Sequence, residues 1–263
     1  MAGGPTLPAM SDTAHWSQRD TSRCPRCGRK HRDEVHVWAT YCRRCRRQIE
    51  RRRQWAEASG EDVLELCARI GVSRRFFGDG GPPDYSDPGL AERIAARPLP
   101  KGGLLITGPV GSHKTHLLAA RCVDAARRGF SARLVKWTAF VREVRATYQP
   151  GARETESDVL RRYARLDYVG LDDFGIGRAD CQETDAALRL AYDLLDERYR
   201  ACRTTDVSTN WVPTELAERF DERIARRLRE LCTVYPMLLT GADAAHNAAR
   251  LAAQQSPATM STD

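Results

Sequence analysis

The residues that most clearly suggest a chemistry lie in the segment GPVGSHKTH, residues 108–116. A short apolar run precedes this glycine-containing turn, and Lys114 and Thr115 open an amphipathic, helix-like stretch after it. Backbone N–H groups of such a turn and of a helix N-terminus bind anions. A lysine here reaches the β- and γ-phosphates of a nucleotide, and the threonine hydroxyl ligates Mg²⁺. The pattern predicts an ATP-binding loop made of Gly108, Pro109, Val110, Gly111, Ser112, His113, Lys114, Thr115 and His116.

One position departs from the usual GxxxxGK[ST] spacing, because His113 stands where the last glycine is expected. Glycine is used there since the backbone passes close to phosphate and needs conformational freedom. The imidazole would either crowd the nucleotide or hydrogen-bond a phosphate. Two outcomes therefore remain open: the loop supports ordinary ATP turnover, or it binds nucleotide and hydrolyses it slowly.

Two carboxylates follow a second apolar run, DYVGLDDF at residues 167–174. In phosphate-loop enzymes an acid at such a strand end supports the Mg²⁺, a role that suits Asp172. Asp173 could then polarise the attacking water as a general base. The alternative is an ordinary strand followed by an aspartate-rich turn. A third strand-like segment, VSTN, ends at Asn210, which could orient water or contact the γ-phosphate.

Four arginines occupy the helix-like segment DERIARRLRE, residues 221–230. An arginine donated by one subunit to the nucleotide of its neighbour would stabilise the charge of the transition state. The alternative is a solvated helix face, which we expect for three of the four.

The sequence contains no apolar run of about 18 residues, which excludes a membrane span.

Two CxxC pairs, CPRC and CRRC, form the other cluster with chemical potential. Their spacing predicts a structural Cys₄ zinc site held by Cys24, Cys27, Cys42 and Cys45. His31 and His36 are alternative ligands, and disulfides are the competing interpretation. Zinc would fold a segment too small to build its own core.

Positive charge is concentrated near the same cysteines. The chain of 263 residues carries a formal net charge of +7, and residues 1–60 account for all of it. Arginines in 43–53 could contact nucleic-acid phosphates, dock an acidic partner or simply be solvated.

The sequence contains nine cysteines, an odd number, and no signal-peptide pattern, which together indicate a reducing compartment. We therefore expect a cytoplasmic protein, either bacterial or encoded by a phage.

The periodicity of apolar residues predicts alternating strands and helices, which is typical of an α/β fold with a parallel sheet covered on both faces. The predicted strands cover residues 104–107, 132–137, 167–173, 204–210 and 233–239. The predicted helices cover residues 46–71, 114–128, 138–148, 157–165, 184–200, 213–219 and 221–231.

Taken in order, the segments GPVGSHKTHLLAA, LDDFG, STN and ERIARRL resemble the DnaC/IstB family of AAA+ ATPases, over about residues 100–240. This family contains bacterial and phage helicase loaders and transposition helper ATPases. The resemblance implies a P-loop NTPase fold in which Lys114 and Thr115 form Walker A, Asp172 and Asp173 Walker B, Asn210 sensor 1, and Arg227 the trans-acting arginine. The segment ERIARRL resembles the DnaC branch more than the IstB branch, and GVSRRFF, residues 71–77, resembles the entry segment of the family.

The family's sensor 2, Gly-x-x-x-Arg after the last strand, is missing. Ala245 stands where its arginine is expected, and Arg250 is a candidate substitute. Weaker hydrolysis, or an arginine from elsewhere, is therefore expected. The resulting domain division places unstructured residues at 1–20, a zinc-binding helical domain at 21–77, a linker at 78–89, the AAA+ domain at 90–255 and a loose tail at 256–263.

The resemblance implies an ATP-dependent loader of a hexameric replicative DNA helicase, with ATP, Mg²⁺ and structural Zn²⁺ as cofactors. Single-stranded DNA and further copies of the chain, assembled on ATP or DNA, are the other expected partners. Two alternatives remain open. One is a transposition helper ATPase on duplex DNA, and the other is a zinc-containing adaptor or DNA-binding protein that hydrolyses little ATP.

Overall fold

A computed structural model describes residues 47–51, 54, 62–76, 102–175 and 184–237. The strands are β1 (Gly103–Thr107), β2 (Ala132–Lys136), β3 (Tyr168–Asp172), β4 (Thr204–Thr209) and β5 (Cys232–Pro236). The helices are α1 (Val63–Ile70), α2 (Lys114–Arg127), α3 (Trp137–Ala146), α4 (Glu156–Arg165), α5 (Asp185–Arg200), α6 (Pro213–Arg219) and α7 (Glu222–Leu231). Residues 47–51 are also helical, and Arg74–Phe76 form a 3₁₀ turn.

The five strands form one parallel sheet in the order β2-β3-β4-β1-β5. Every residue of β1, β3 and β4 is buried, whereas the edge strands β2 and β5 are partly exposed. The crossover helices of a parallel sheet cover both of its faces. The residues of the central strands are therefore buried without a break, instead of alternating between buried and exposed. This arrangement confirms the predicted α/β fold class.

Each face of the sheet has its own apolar core. On one face, Leu104, Ile106 and Tyr168 pack with the buried sides of α1 and α2. On the other face, Leu105 and Val207 pack with the buried sides of α3, α4, α5, α6 and α7. Neighbouring residues of a strand point to opposite faces, which explains why consecutive leucines in β1 join different cores.

Short polar side chains begin several of the helices. Thr155 caps α4, since its hydroxyl accepts from the Asp158 N–H at 3.2 Å while the Asp158 carboxylate accepts from the Thr155 N–H at 3.1 Å. Thr184 caps α5 in a similar way, accepting from the Ala187 N–H at 3.3 Å. Such caps satisfy N–H groups that have no acceptor within the helix.

A buried ionic network crosses the middle of the sheet beneath α2. The carboxylate of Asp206, on β4, forms an ion pair with Arg121 of α2. It also accepts hydrogen bonds from the Tyr168 hydroxyl at 2.7 Å and the Leu104 N–H at 2.8 Å. The charge is tolerated because several donors from different elements surround it. The network fixes α2, and therefore the loop before it, to three central strands.

The observed elements agree with most of the predicted ones, but the helix predicted over residues 46–71 is interrupted, since Asp62 has an extended backbone before α1. Several element ends also shift, as at the β2–α3 junction. Trp137, predicted as the end of the strand, is the first residue of α3. Its buried ring packs against Phe140 at 5.6 Å and Phe174 at 5.0 Å between centroids. The predicted linker at 78–89, both termini and sensor 2 lie outside the described residues. No helix in the described part of the chain is both long and apolar enough to span a membrane.

Candidate nucleotide-binding site

The sheet order brings the candidate site together. The loop 108–113 follows β1, Asp172 and Asp173 end or follow β3, and Asn210 follows β4. Because β4 lies between β1 and β3, all three segments leave the same edge of the sheet. Ligands of open α/β sheets bind at this carboxyl edge. The fold therefore places the predicted phosphate loop, acidic pair and polar strand end beside one another.

The phosphate loop is built from left-handed backbone conformations. Gly108 and Gly111 have φ values of +151° and +88°, and an added Cβ at Gly108 would lie 2.3 Å from the Met237 carbonyl oxygen. His113 has φ +59° and ψ +23° directly before α2, and its side chain is exposed. A non-glycine residue in this region costs about 1–2 kcal/mol. The loop thus keeps the backbone shape that glycine normally supplies, with histidine in its place.

Lys114 folds back over the loop. Its Nζ donates to the carbonyl oxygens of Gly108 and Pro109, both at 2.7 Å, and to Ser112 Oγ at 3.4 Å. Burial lowers the pKa of Lys114, while the charges of Asp173 and Asp172 raise it. An ammonium held by neutral carbonyls rather than by a carboxylate can exchange them for an anion. This cradle suits a phosphate group.

Thr115 and Asp172 form the contact expected of a magnesium site. The Thr115 hydroxyl donates to Asp172 Oδ1 at 2.8 Å, although the two residues are 57 positions apart in sequence. Hydroxyl and carboxylate oxygens are the ligands that Mg²⁺ prefers beside nucleotide phosphates. These two side chains, with Lys114 adjacent, therefore fit a bound Mg²⁺–nucleotide.

The environment of Asp172 opposes its ionisation. Burial raises the pKa of its carboxyl group, hydrogen bonds from Ser208 and Thr115 lower it, and the charge of Asp173 raises it. The side chain is 2% exposed. A bound divalent cation would remove the cost of this buried charge, since it supplies the missing positive partner.

Asp173 lies at the rim of the site, in a left-handed backbone conformation with φ +55°. Its carboxylate accepts from Lys136 Nζ at 2.9 Å, and both side chains are partly exposed. Lys136 is the last residue of β2, the strand next to β3. No pattern in the sequence connects this lysine with the acidic pair.

Aromatic side chains support the segment after the acidic pair. Phe174 stacks on Phe220 with centroids 4.7 Å apart, and Trp211 Nε1 donates to the Gly175 carbonyl at 2.9 Å. An added Cβ at Gly175 would lie 2.3 Å from the Phe220 ring. Trp211 follows Asn210 directly. The segment after Asp173 is therefore held by Trp211, next to Asn210, and by Phe220, just before α7.

Arg227 points into its own subunit. Its Nε donates to Asp196 Oδ1 at 2.8 Å, it pairs with Glu230, and its guanidinium lies 4.6 Å from the Tyr199 ring centroid. Its side chain is 19% exposed, against 75%, 70% and 50% for Arg223, Arg226 and Arg229 on the same helix. The predicted trans-acting residue is thus the least solvated of the four.

The segment before the sheet also approaches the site. Phe76 packs edge-on against His116 in the first turn of α2, with ring centroids 6.0 Å apart. The guanidinium of Arg75 lies 4.7 Å from the centroid of the Phe76 ring. This contact places the end of the GVSRRFF segment beside the predicted loop.

The predicted zinc ligands cannot be placed in the same way, because Cys24, Cys27, Cys42 and Cys45 lie outside the described residues. Within the described ranges there is no group of three or more His, Cys, Asp or Glu side chains that could hold a metal ion. Four cysteines lie in the described part of the chain and form no disulfide there, and all except Cys202 are buried: Cys67, Cys122, Cys202 and Cys232. Cys67, Cys122 and Cys232 are therefore small core residues, whereas Cys202 is not.

Comparison with known proteins supports the arrangement. Residues 100–228 match the family described as IstB-like ATP binding protein. No curated protein sequence matches the chain significantly.

Two solved structures share the fold. One, described as the DnaC helicase loader, is 18% identical with a TM-score of 0.51, covering 64% of this chain and 100% of that one. The other, AMPPCP-bound DnaA from Aquifex aeolicus, is 17% identical with a TM-score of 0.50, covering 65% of this chain and 53% of that one. Residues 100–228 are therefore similar to the IstB-like ATP binding family, and the described α/β region has the same fold as these two structures.

Proposed function

We propose that the protein is an ATP-dependent loader of a hexameric replicative DNA helicase, which hydrolyses ATP to ADP and phosphate. The observation that carries the ATPase part is the contact of Thr115 with Asp172, beside the buried ammonium of Lys114. The matched family is described as ATP-binding, which supports the same chemistry. The loader part draws on the fold shared with a structure described as a helicase loader.

Each residue of the site would have a defined task. Lys114 would exchange the loop carbonyls for phosphate oxygens, and Thr115 with Asp172 would hold Mg²⁺, which supplies charge neutralisation at the phosphates. Asp173 would accept a proton from water once it leaves Lys136. Asn210, at the end of the strand between loop and acids, would orient that water.

Phosphate release from ATP tests the enzymatic part. We expect hydrolysis to depend on Mg²⁺ and to fall at least about 100-fold in Lys114→Ala, because the phosphate charge loses its cation. Arg128→Ala is the control, because Arg128 follows the far end of α2 and forms a partly exposed ion pair with Asp124 at 2.9 Å. Equal phosphate release by wild type and Lys114→Ala would refute the ATPase. ATP binding without release would instead support the adaptor alternative.

Arg227 is proposed to serve the nucleotide of a neighbouring subunit, and assembly would have to release it from Asp196 and Glu230. Arg227→Ala should abolish ATP hydrolysis by the assembled subunits but leave nucleotide binding intact. Arg226→Ala, one residue earlier and more exposed, should change little. If mixtures of Lys114→Ala and Arg227→Ala subunits recover no activity, the arginine does not act in trans.

The partner is tested by native mass spectrometry with the host's hexameric helicase, with and without ATP. A defined complex would support loading, and its absence in both states would refute it. The family match favours one rival, a transposition helper ATPase. Stable, salt-sensitive binding of duplex DNA together with capture of a transposase would establish that rival instead. Single-stranded DNA, the expected ligand of a loader, serves as the comparison probe.

A structural zinc site at Cys24, Cys27, Cys42 and Cys45 is proposed to fold the N-terminal segment that grips the partner. Metal analysis of the purified chain should give one zinc per chain, lost in the double variant Cys24→Ser/Cys27→Ser. Cys202→Ser is the control, since Cys202 is a free and half-buried thiol. Equal zinc in both variants would exclude this ligand set.

A further inference from the structure

Ser208 connects the acidic pair to the neighbouring strand in a way that the sequence did not indicate. It is the fifth residue of β4 and is fully buried. Its hydroxyl donates to Asp172 Oδ1 at 2.7 Å and accepts from the Asp173 N–H at 3.0 Å. Its carbonyl oxygen accepts from the Phe174 N–H at 2.8 Å. One residue therefore contacts three consecutive residues, Asp172, Asp173 and Phe174.

The direction of these hydrogen bonds is determined by the donors present. A serine hydroxyl has one proton and two lone pairs. The Asp173 N–H can only donate, so it occupies a lone pair of Ser208 Oγ. The hydroxyl proton is then directed to Asp172, which also accepts from Thr115 at the same oxygen. Ser208 thus fixes which oxygen of Asp172 faces Thr115 and the phosphate loop.

The second contact concerns the backbone of Asp173. A left-handed aspartate is strained and persists only where the surroundings hold it. Lys136 forms an ion pair with the Asp173 carboxylate, and the Ser208 hydroxyl accepts from the Asp173 N–H. The lysine is 51% exposed, whereas Ser208 is buried, so the serine is the permanent anchor of the two.

We propose that Ser208 is a positioning residue for the ATPase reaction, with one hydroxyl that orients the Asp172 carboxylate for Mg²⁺ and holds the Asp173 backbone so that its carboxylate can reach water. This role rests on the proposed ATPase activity. It predicts that removal of the hydroxyl harms Mg²⁺ use and turnover, while the phosphate loop still binds nucleotide.

The test compares Ser208→Ala and Ser208→Cys with wild type. Alanine leaves a small void, whereas cysteine fills the space but hydrogen-bonds weakly. Both should bind ATPγS without Mg²⁺ within about threefold of wild type, since the Lys114 cradle is intact. The half-saturating Mg²⁺ concentration for tight ATPγS binding should rise, and kcat should fall, each by about 10- to 100-fold, the usual cost of losing a partner of a metal ligand.

The Mg²⁺ dependence is a readout that a general loss of folding would not change selectively, because ATPγS binding without Mg²⁺ reports whether the phosphate loop is intact. Thr205→Val is the matched control, since it removes a buried β4 hydroxyl that accepts from Arg198 at 2.8 Å instead. It should lower stability without changing Mg²⁺ use.

The outcomes separate the two proposals. Wild type that releases no Lys114-dependent phosphate refutes the ATPase, and the Mg²⁺ dependence of ATPγS binding then still tests Ser208. Ser208 variants with wild-type Mg²⁺ dependence, whether or not the wild type is active, overturn the positioning role. An equal defect in Thr205→Val would also overturn it, because the effect would then be one of β4 stability.

Discussion

The Nζ atom of Lys136 lies 2.9 Å from Oδ2 of Asp173, so the carboxylate that we propose activates water is paired with the end of a neighbouring strand. Both partners are substantially solvated, with 51% and 35% of their side chains exposed. Exposed ion pairs of this kind contribute about 0–1 kcal/mol. The contact is weak enough to open during turnover and strong enough to bias where the carboxylate rests.

Lys136→Gln tests that bias. We expect basal ATP hydrolysis to increase about two- to fivefold, the range that ~0.5–1 kcal/mol produces, because Asp173 is freed more often. The melting temperature should change by less than about 2 °C. Steady-state phosphate release and a thermal melt measure the two quantities. Reduced hydrolysis would instead mean that Lys136 contributes directly to the reaction.

His113→Gly tests the cost of the left-handed histidine in the phosphate loop. Glycine adopts φ near +59° without strain and leaves more space at the phosphates, so nucleotide should bind about 2- to 10-fold more tightly. Cys202→Gly is the control, because Cys202 has a similar φ of +50° in the turn between α5 and β4. It should relieve backbone strain with no change in nucleotide affinity. Weaker binding by His113→Gly would identify the imidazole as a phosphate ligand.

Asp172→Asn tests the buried charge. Burial raises the pKa of Asp172, so the folded state holds its proton to higher pH than the unfolded state does, and stability decreases as pH rises through that window. The cost of the buried charge is therefore larger at pH 7 than at pH 4. The amide removes the charge and keeps an oxygen for Thr115 and Ser208. Asp172→Asn should therefore melt higher than wild type at pH 7, and the difference should shrink toward pH 4.

The same substitution should abolish Mg²⁺-dependent hydrolysis. Asp173→Asn is the matched control, since it removes the neighbouring charge from a partly exposed position that has a lysine partner. It should also lose hydrolysis but should gain no thermal stability. Melting curves across pH, without nucleotide, compare the two variants. A lower melting temperature for Asp172→Asn at pH 7 would contradict the interpretation.

Asp206→Asn tests the buried network beneath α2. The new amide would oppose donors from Arg121 and Tyr168, and leave the guanidinium buried without its counter-charge. Breaking one partner of a buried pair costs about 3–5 kcal/mol. Asp124→Asn, which breaks the half-exposed pair with Arg128 on the same helix, should cost at most about 0.5 kcal/mol. Chemical denaturation measures both, and equal losses would rule out a special role for the network.

Local sequence patterns predicted the order of elements and most of the site. Thr115 and Asp172 were both assigned to one Mg²⁺ site, and the structure brings them into contact at the carboxyl edge of the parallel sheet. Even the short helices before β5 were predicted, because their apolar spacing is regular.

Contacts between strands that are distant in sequence were not predictable. Ser208 read as an ordinary strand residue, since nothing in VSTN shows that β4 lies beside β3. Lys136 became relevant only through the same strand order. Arg227 was selected by resemblance to the family motif, and its pairing with Asp196 depends on how α7 packs against α5. Each of these requires the tertiary arrangement, which periodicity does not encode.

The Phe174–Phe220 stack has a mechanical consequence. Phe174 follows Asp173 directly, and Phe220 stands just before the helix that carries Arg227. Gly175 lets the two rings meet without an intervening side chain. The acid that would serve a subunit's own nucleotide and the arginine that would serve its neighbour's nucleotide are therefore linked through one pair of stacked rings. In an assembly, adjustment of one site would be passed to the next as a rigid tilt rather than absorbed by a loop.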